Sequence, residues 1–158
     1  MREGMIKPWV LIAPLALLVG VAVACGPDEL EEGPGDRAPI PAVGQVVETE
    51  DGFYVDVTPQ ELQPMLGGRD FPLVNVHVPY EGEIEGTDLF IAYDRIADRL
   101  GELPSELDSK IVVYCRSGGM SAIAASALVS AGYTNVWNLD GGMIAWQEVG
   151  YPLLNAGQ

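Results

Sequence analysis

The residues best suited to chemistry lie in one run, Ile111-Val112-Val113-Tyr114-Cys115-Arg116-Ser117-Gly118-Gly119-Met120-Ser121. An apolar strand leads straight into a thiol, a polar loop follows, and a helix opens near Met120. In open α/β sheets ligands sit at the carboxyl ends of strands, and this run puts the sulfur there. Gly118 and Gly119 let the loop turn backbone N–H groups toward one point. The helix aims its positive end at the same point, and Arg116 adds a cation. All three favour thiolate over thiol, so the run suits an anionic sulfur nucleophile and an anionic product. A cysteine at a strand end can also be a small core hydrophobe. The polar stretch Arg116-Ser117-Gly118-Gly119 argues against that and predicts an accessible sulfur. Asn75 and His77 end another apolar strand. His77 is the single histidine, so the site has no assignable general base, and no metal or cofactor is expected.

The elements that must position this run can be read from pattern. Phe53 to Val57 alternates like a strand. Thr58-Pro59-Gln60-Glu61 opens a short helix, with Thr at the N-cap, Pro in the first turn and Glu closing a capping box; it ends at Gly67-Gly68. Pro72 to Val78 is an apolar strand, Pro79 to Gly86 a loop, and Asp94 to Leu100 a helix with Ile96 and Leu100 on one face. Lys110 to Tyr114 reads as a central parallel strand because its apolar residues are continuous. The helix from Met120 to Ala131 carries Ile123, Ala124, Ala127, Leu128 and Ala131 on one face and closes at Gly132. Asn135 to Leu139 is a strand, and Gly142 to Glu148 a last short helix. Strands alternate with helices, so the expectation is one α/β domain, residues 51–158, with a central parallel sheet flanked by helices. Phe71, Tyr133, Trp137 and Trp146 are read as core.

The run Cys115-Arg116-Ser117-Gly118-Gly119-Met120-Ser121 resembles the active-site loop of rhodanese domains. Two further motifs carry the likeness. Leu73-Val74-Asn75-Val76-His77-Val78-Pro79 aligns with the strand that in the family reads aspartate, valine, arginine. Trp137-Asn138-Leu139-Asp140-Gly141-Gly142-Met143-Ile144-Ala145-Trp146 is similar to the family's C-terminal Leu-x-Gly-Gly-x-x-x-Trp signature. The likeness runs from about Phe53 to Leu153. It implies a rhodanese fold, Cys115 as nucleophile, and sulfur transfer through a cysteine persulfide. The substrates implied are a small sulfur donor, thiosulfate or a persulfide, and a thiol or cyanide acceptor. Arg116 to Ser121 would bind the anionic intermediate. Asn75 and His77 depart from the family's aspartate and arginine, which removes an ion pair; they are expected to support the site, His77 either as a neutral hydrogen-bonding replacement or as part of substrate recognition. The loop after them, Glu81-Gly82-Glu83-Ile84-Glu85-Gly86-Thr87, departs as well. Its three carboxylates either discourage a dianionic donor or face solvent away from the site.

Two other readings use the same residues. A cysteine phosphatase or arsenate reductase would need an arginine where Ser121 stands, and no arginine follows Arg116. A sulfur carrier without turnover would need Cys115 and its loop just as an enzyme does.

Ahead of the domain, Arg2 and Lys7 precede the apolar run Trp9–Ala24, which is broken by Pro14 and ends Ala22-Val23-Ala24-Cys25. Residues 1–24 read as an export signal. The ending is similar to a bacterial lipobox, with Ala22 in place of the usual leucine, so Cys25 is the expected lipidation site. A soluble secreted chain and an uncleaved anchor are the alternatives. The expected location is the outer face of the cytoplasmic membrane or the periplasm, with the membrane contact made through lipid. Residues 25–50, with four prolines and the acidic run Asp28-Glu29-Leu30-Glu31-Glu32, read as a linker. The 158-residue chain has a net charge of −15, and after Ala24 six basic residues face 22 acidic ones. That leaves no cationic surface for nucleic acid or anionic lipid.

Overall fold

The computed structural model describes residues 43–155. Cys25, the expected signal and most of the expected linker lie outside them.

The sheet starts earlier than the pattern predicts. β1 (Gln45–Thr49) pairs antiparallel with β2 (Gly52–Val57), with Val47 opposite Tyr54. The expected linker therefore ends before Gln45. Only Val46 and Val47 of β1 are apolar, too few to stand out beside a Pro/Gly-rich stretch. Thr58 then caps α1 (Pro59–Leu62). Its hydroxyl accepts the Glu61 N–H at 3.3 Å, while the Glu61 carboxylate accepts the Thr58 N–H at 2.8 Å, the reciprocal box expected from sequence. A 3-10 turn, Gln63–Met65, continues it.

β3 (Leu73–Asn75) is shorter than the expected Pro72–Val78. Val76 still donates to the Tyr114 carbonyl at 2.8 Å, after which the chain leaves the sheet through a cis Val78–Pro79 bond. β4 (Leu89–Phe90) pairs parallel with β3, and two residues are too few for any sequence pattern to register. The helix expected over Asp94–Leu100 is a 3-10 helix, Ile96–Glu102, interrupted at Arg99. Gly101 and Pro104 close the segment before an α-helix can propagate. Then come β5 (Ile111–Tyr114), α2 (Gly119–Ser130), β6 (Val136–Leu139) and α3 (Gly142–Glu148).

The strand order is β1-β2-β6-β5-β3-β4, parallel throughout except for β1. β5 lies between β6 and β3 and is buried on both faces, which is why it has no charged residue. Its alternate residues feed two cores. Ile111 and Val113 meet Ala124, Ala125 and Leu128 of α2 on one face. Val112 and Tyr114 share the other with Met143 and Trp146 of α3. The buried face of α2 is Ser121, Ala124, Ala125, Leu128 and Val129. Ile123, expected inward, is 56% exposed. Apolar residues encircle this helix, so periodicity alone could not choose its face, and the small alanines let it sit close to the sheet. Phe71, Tyr133, Trp137 and Trp146 are all buried, as expected.

Candidate active site

Cys115 is the first residue after β5, at the carboxyl edge of the sheet. The loop Arg116–Gly118 links it to α2. Gly118 is the N-cap of that helix at φ 91, a left-handed conformation that side-chain-bearing residues rarely adopt. This turn brings the Gly118 N–H to 3.1 Å from the Cys115 sulfur. The Ser121 hydroxyl lies 3.4 Å from the sulfur and 3.1 Å from the Gly118 carbonyl, so its one proton is shared between them. N–H groups in the first turn of a helix have no partner within the helix, and the first turn of α2 lies beside this sulfur. The sequence expectation of a thiol at the strand end, under a helix N-terminus, is met. The expectation of an accessible sulfur is corrected. Cys115 is a free thiol but only 1% exposed, because it also packs in the core beneath α2, while Arg116, Ser117 and Gly119 take the solvent.

α3 holds the loop from behind. Met143 donates to the Cys115 carbonyl and Ile144 to the Arg116 carbonyl, each at 2.9 Å. That contact is possible only with glycine at position 142: a Cβ there would lie 2.3 Å from the Cys115 carbonyl oxygen. Gly142 of the C-terminal motif thus has a physical reason, and it acts on the same loop as the cysteine, whereas a Cβ at Gly141 would meet the Ala145 side chain of α3 itself.

Asn75, fully buried, ends β3 and fastens the neighbouring loop. Its amide donates to the Gly82 carbonyl at 3.0 Å, and its oxygen accepts the His77 N–H at 3.0 Å. Hydrogen bonds from a neutral side chain therefore order the strand end. His77 is buried, and neither ring nitrogen makes a hydrogen bond among the described residues. Its Nε2 lies 3.4 Å from Glu81 Oε2, within charge-contact range but poorly aligned for a hydrogen bond. The same Glu81 oxygen is 2.7 Å from Arg116 Nη1. The three loop carboxylates divide. Glu81 faces the cysteine loop, Glu83 is tied through its backbone to Leu154, and Glu85 lines a cavity with Gln63, Trp146 and Tyr151.

Two contributors escaped sequence reasoning. Tyr114 places its hydroxyl under the 79–87 loop, accepting the Ile84 N–H at 3.0 Å and meeting the Thr87 hydroxyl at 2.6 Å. Burial, the largest effect, pushes the Tyr114 hydroxyl up to about 12, although its two hydrogen bonds pull the other way. Glu81 showed only as one of several acids. Its partner Arg116 is 35 residues away, a separation no local pattern spans. Among the described residues no cluster of histidine, cysteine or carboxylate groups could hold a metal, and no helix is long and apolar enough to cross a membrane.

The family model of the rhodanese-like domain matches residues 58–149. A sulfurtransferase of Allochromatium vinosum is 37% identical over 95 residues, covering 58% of this chain and 86% of that one. A thiosulfate sulfurtransferase of Pseudomonas syringae pv. syringae is 32% identical over 96 residues, 60% of this chain and 88% of that one. Among solved structures, a rhodanese-related protein from Thermoplasma volcanium superposes with a TM-score of 0.54 at 26% identity, covering 63% of this chain and 97% of its own.

Proposed function

The chain belongs to the family of rhodanese-like domains, and on that premise we propose that it is a sulfurtransferase working through a persulfide on Cys115. The observation that carries this reading is the Cys115 sulfur at the end of β5, with the Gly118 N–H at 3.1 Å and the Ser121 hydroxyl at 3.4 Å. The thiolate attacks the outer sulfur of a donor. A new sulfur–sulfur bond forms at Cys115 as the donor's own breaks, and its electron pair leaves on sulfite, from thiosulfate, or on a thiolate, from a persulfide. Both leaving groups are stable anions, so the step needs no general acid, in keeping with a site whose one histidine makes no hydrogen bond through its ring among the described residues. The bound persulfide is anionic, and the N–H groups of the loop and of the first turn of α2 are the donors suited to hold it. A thiol or cyanide then removes the outer sulfur and restores the thiolate.

Incubation of the protein with a sulfane-sulfur donor should add one sulfur atom at Cys115, released by a thiol or cyanide. Cys115→Ser, a nearly isosteric change, should abolish both the adduct and the transfer while the thermal transition survives. Transfer that persists in this variant would rule the mechanism out. Steady-state turnover with thiosulfate and cyanide separates an enzyme from a carrier, which would load once and stop.

A further inference from the structure

We infer that Glu81 sets the donor class of this site, favouring a persulfide on a neutral or cationic thiol over dianionic thiosulfate. The inference rests on the sulfur-transfer reading and narrows it.

Arg116 is the cation of the cysteine loop, and Glu81 Oε2 sits 2.7 Å from its Nη1. The pair has no net charge, so the guanidinium is partly spent before any donor arrives. His77, the other basic side chain beside it, touches the same carboxylate oxygen at 3.4 Å. Glu81 is not a side chain on a loose loop. The loop is fastened by Asn75 to Gly82, by Tyr114 to Ile84 and Thr87, and by paired backbone bonds between Glu83 and Leu154. The ring of Tyr80, next to Glu81, meets Phe90 edge-on at 5.8 Å. Charges beyond about 8 Å are largely screened at physiological salt, so a donor entering past the cysteine loop responds chiefly to the charges carried by that loop and its contacts, Arg116 and Glu81. A dianion finds the cation already engaged and a carboxylate beside it. A donor bearing an ammonium group gains that carboxylate as a partner. For such a donor the step is Cys115–S⁻ + R–S–SH → Cys115–S–SH + R–S⁻, in which the thiolate leaving group carries away the electron pair of the broken bond.

The test compares kcat/KM of the full chain for three donors at low salt, with dithiothreitol as the common neutral acceptor. The donors are thiosulfate, glutathione persulfide and cysteamine persulfide. The two persulfides share the reacting S–SH group but differ in charge and size, so the change in their ratio on substitution, rather than the ratio itself, reads the charge at position 81. Cysteamine persulfide should be the better of the two in the wild type. Glu81→Gln should reduce its advantage over both anionic donors about tenfold, by slowing the cationic donor and speeding the two anionic ones, the order expected for one charge near a partly exposed site. Glu85→Gln removes an equal charge from the same loop, facing a different cavity, and should leave the ratios unchanged. If Glu81→Gln leaves the ratios as they were, or if Glu85→Gln shifts them as far, Glu81 is not the determinant and the inference is overturned while sulfur transfer stands. Failure of every donor to load Cys115 overturns the sulfur-transfer reading and this inference together.

Discussion

Tyr114 and Cys115 are neighbours in sequence but serve opposite faces of the sheet. Strand alternation sends the thiol toward α2 and the phenol toward the core beneath α3. One presents the nucleophile, and the other fixes the loop that carries Glu81. The Tyr114 hydroxyl is held at about 12 against an ordinary 10, chiefly by burial. A phenol whose folded value is raised keeps its full contribution to stability below pH 10 and loses it as pH climbs through 12, because the unfolded chain ionises first. The loss across that window is about 3 kcal/mol, two pH units' worth. Tyr54 and Tyr133, also raised by burial, add to it in the same direction. Tyr114→Phe should therefore cost about 1–2 kcal/mol at pH 7, where it strands the Ile84 N–H, yet flatten the decline above pH 10. Urea unfolding of both proteins from pH 7 to 12 checks this, and parallel curves would show that the phenol is not the group titrating. Cys115 was legible from sequence because its strand, loop and helix are contiguous. Tyr114 was not, since its partners lie 27 and 30 residues upstream and its apolar strand makes it look like one more core residue.

Two helices of different length converge on the same loop. α2, twelve residues long, starts from it, and α3, seven residues long, backs it. The alternation of strands and helices was legible, as was the capping box of α1, because each has a periodic or chemical signature within a few residues. β4, the 3-10 character of Ile96–Glu102 and the inward face of α2 were not. The first is too short, the second is set by closing glycine and proline, and the third depends on what packs against a helix with apolar residues on every side. The glycine pair at 141 and 142 was visible as a motif without a cause, since the cause at Gly142 is a backbone approach by Cys115, 27 residues away. That approach makes Gly142→Ala a sharp test of how the elements cooperate. A Cβ would collide with the Cys115 carbonyl at 2.3 Å, in a backbone with φ 57 that already disfavours alanine. α3 must then withdraw, and the bonds from Met143 and Ile144 to the loop go with it. Displacing a nucleophile by a fraction of an ångström to an ångström is enough for roughly a 100-fold loss of kcat/KM, and the strain should cost about 1–3 kcal/mol of stability. Persulfide-transfer kinetics and a thermal melt on one preparation check both. A variant that melts like the wild type and transfers sulfur normally would mean that α3 does not position the loop.

Across the whole molecule the question is where the folded unit begins. The acidic Pro/Gly-rich stretch conceals the boundary, and the reading of an exported, lipid-anchored chain rests on residues up to Cys25, outside those described. The sheet itself gives a firm answer. β1 pairs along its whole length with β2, from Gln45 opposite Asp56 to Thr49 opposite Gly52. Val47 packs against the core under α2, and Val43 against the other core. The Gly44 N–H reaches the Glu61 carboxylate at 3.4 Å, so the segment also touches the cap of α1. A chain beginning at Gln45 keeps the hairpin and loses little beyond the Val43 contact. A chain beginning at Phe53 loses β1 altogether. The apolar area given up by Val47 alone is worth about 1 kcal/mol, and β2 becomes an edge strand with unpaired backbone groups that invite a second copy to pair. The chain from Phe53 should melt several degrees below the chain from Gln45 and associate as its concentration rises, while the chain from Gln45 stays monodisperse and keeps its transfer activity. Calorimetry with light scattering decides the matter. Equal melting and equal monodispersity in the two chains would mean that β1 is an ornament and that the fold starts at β2.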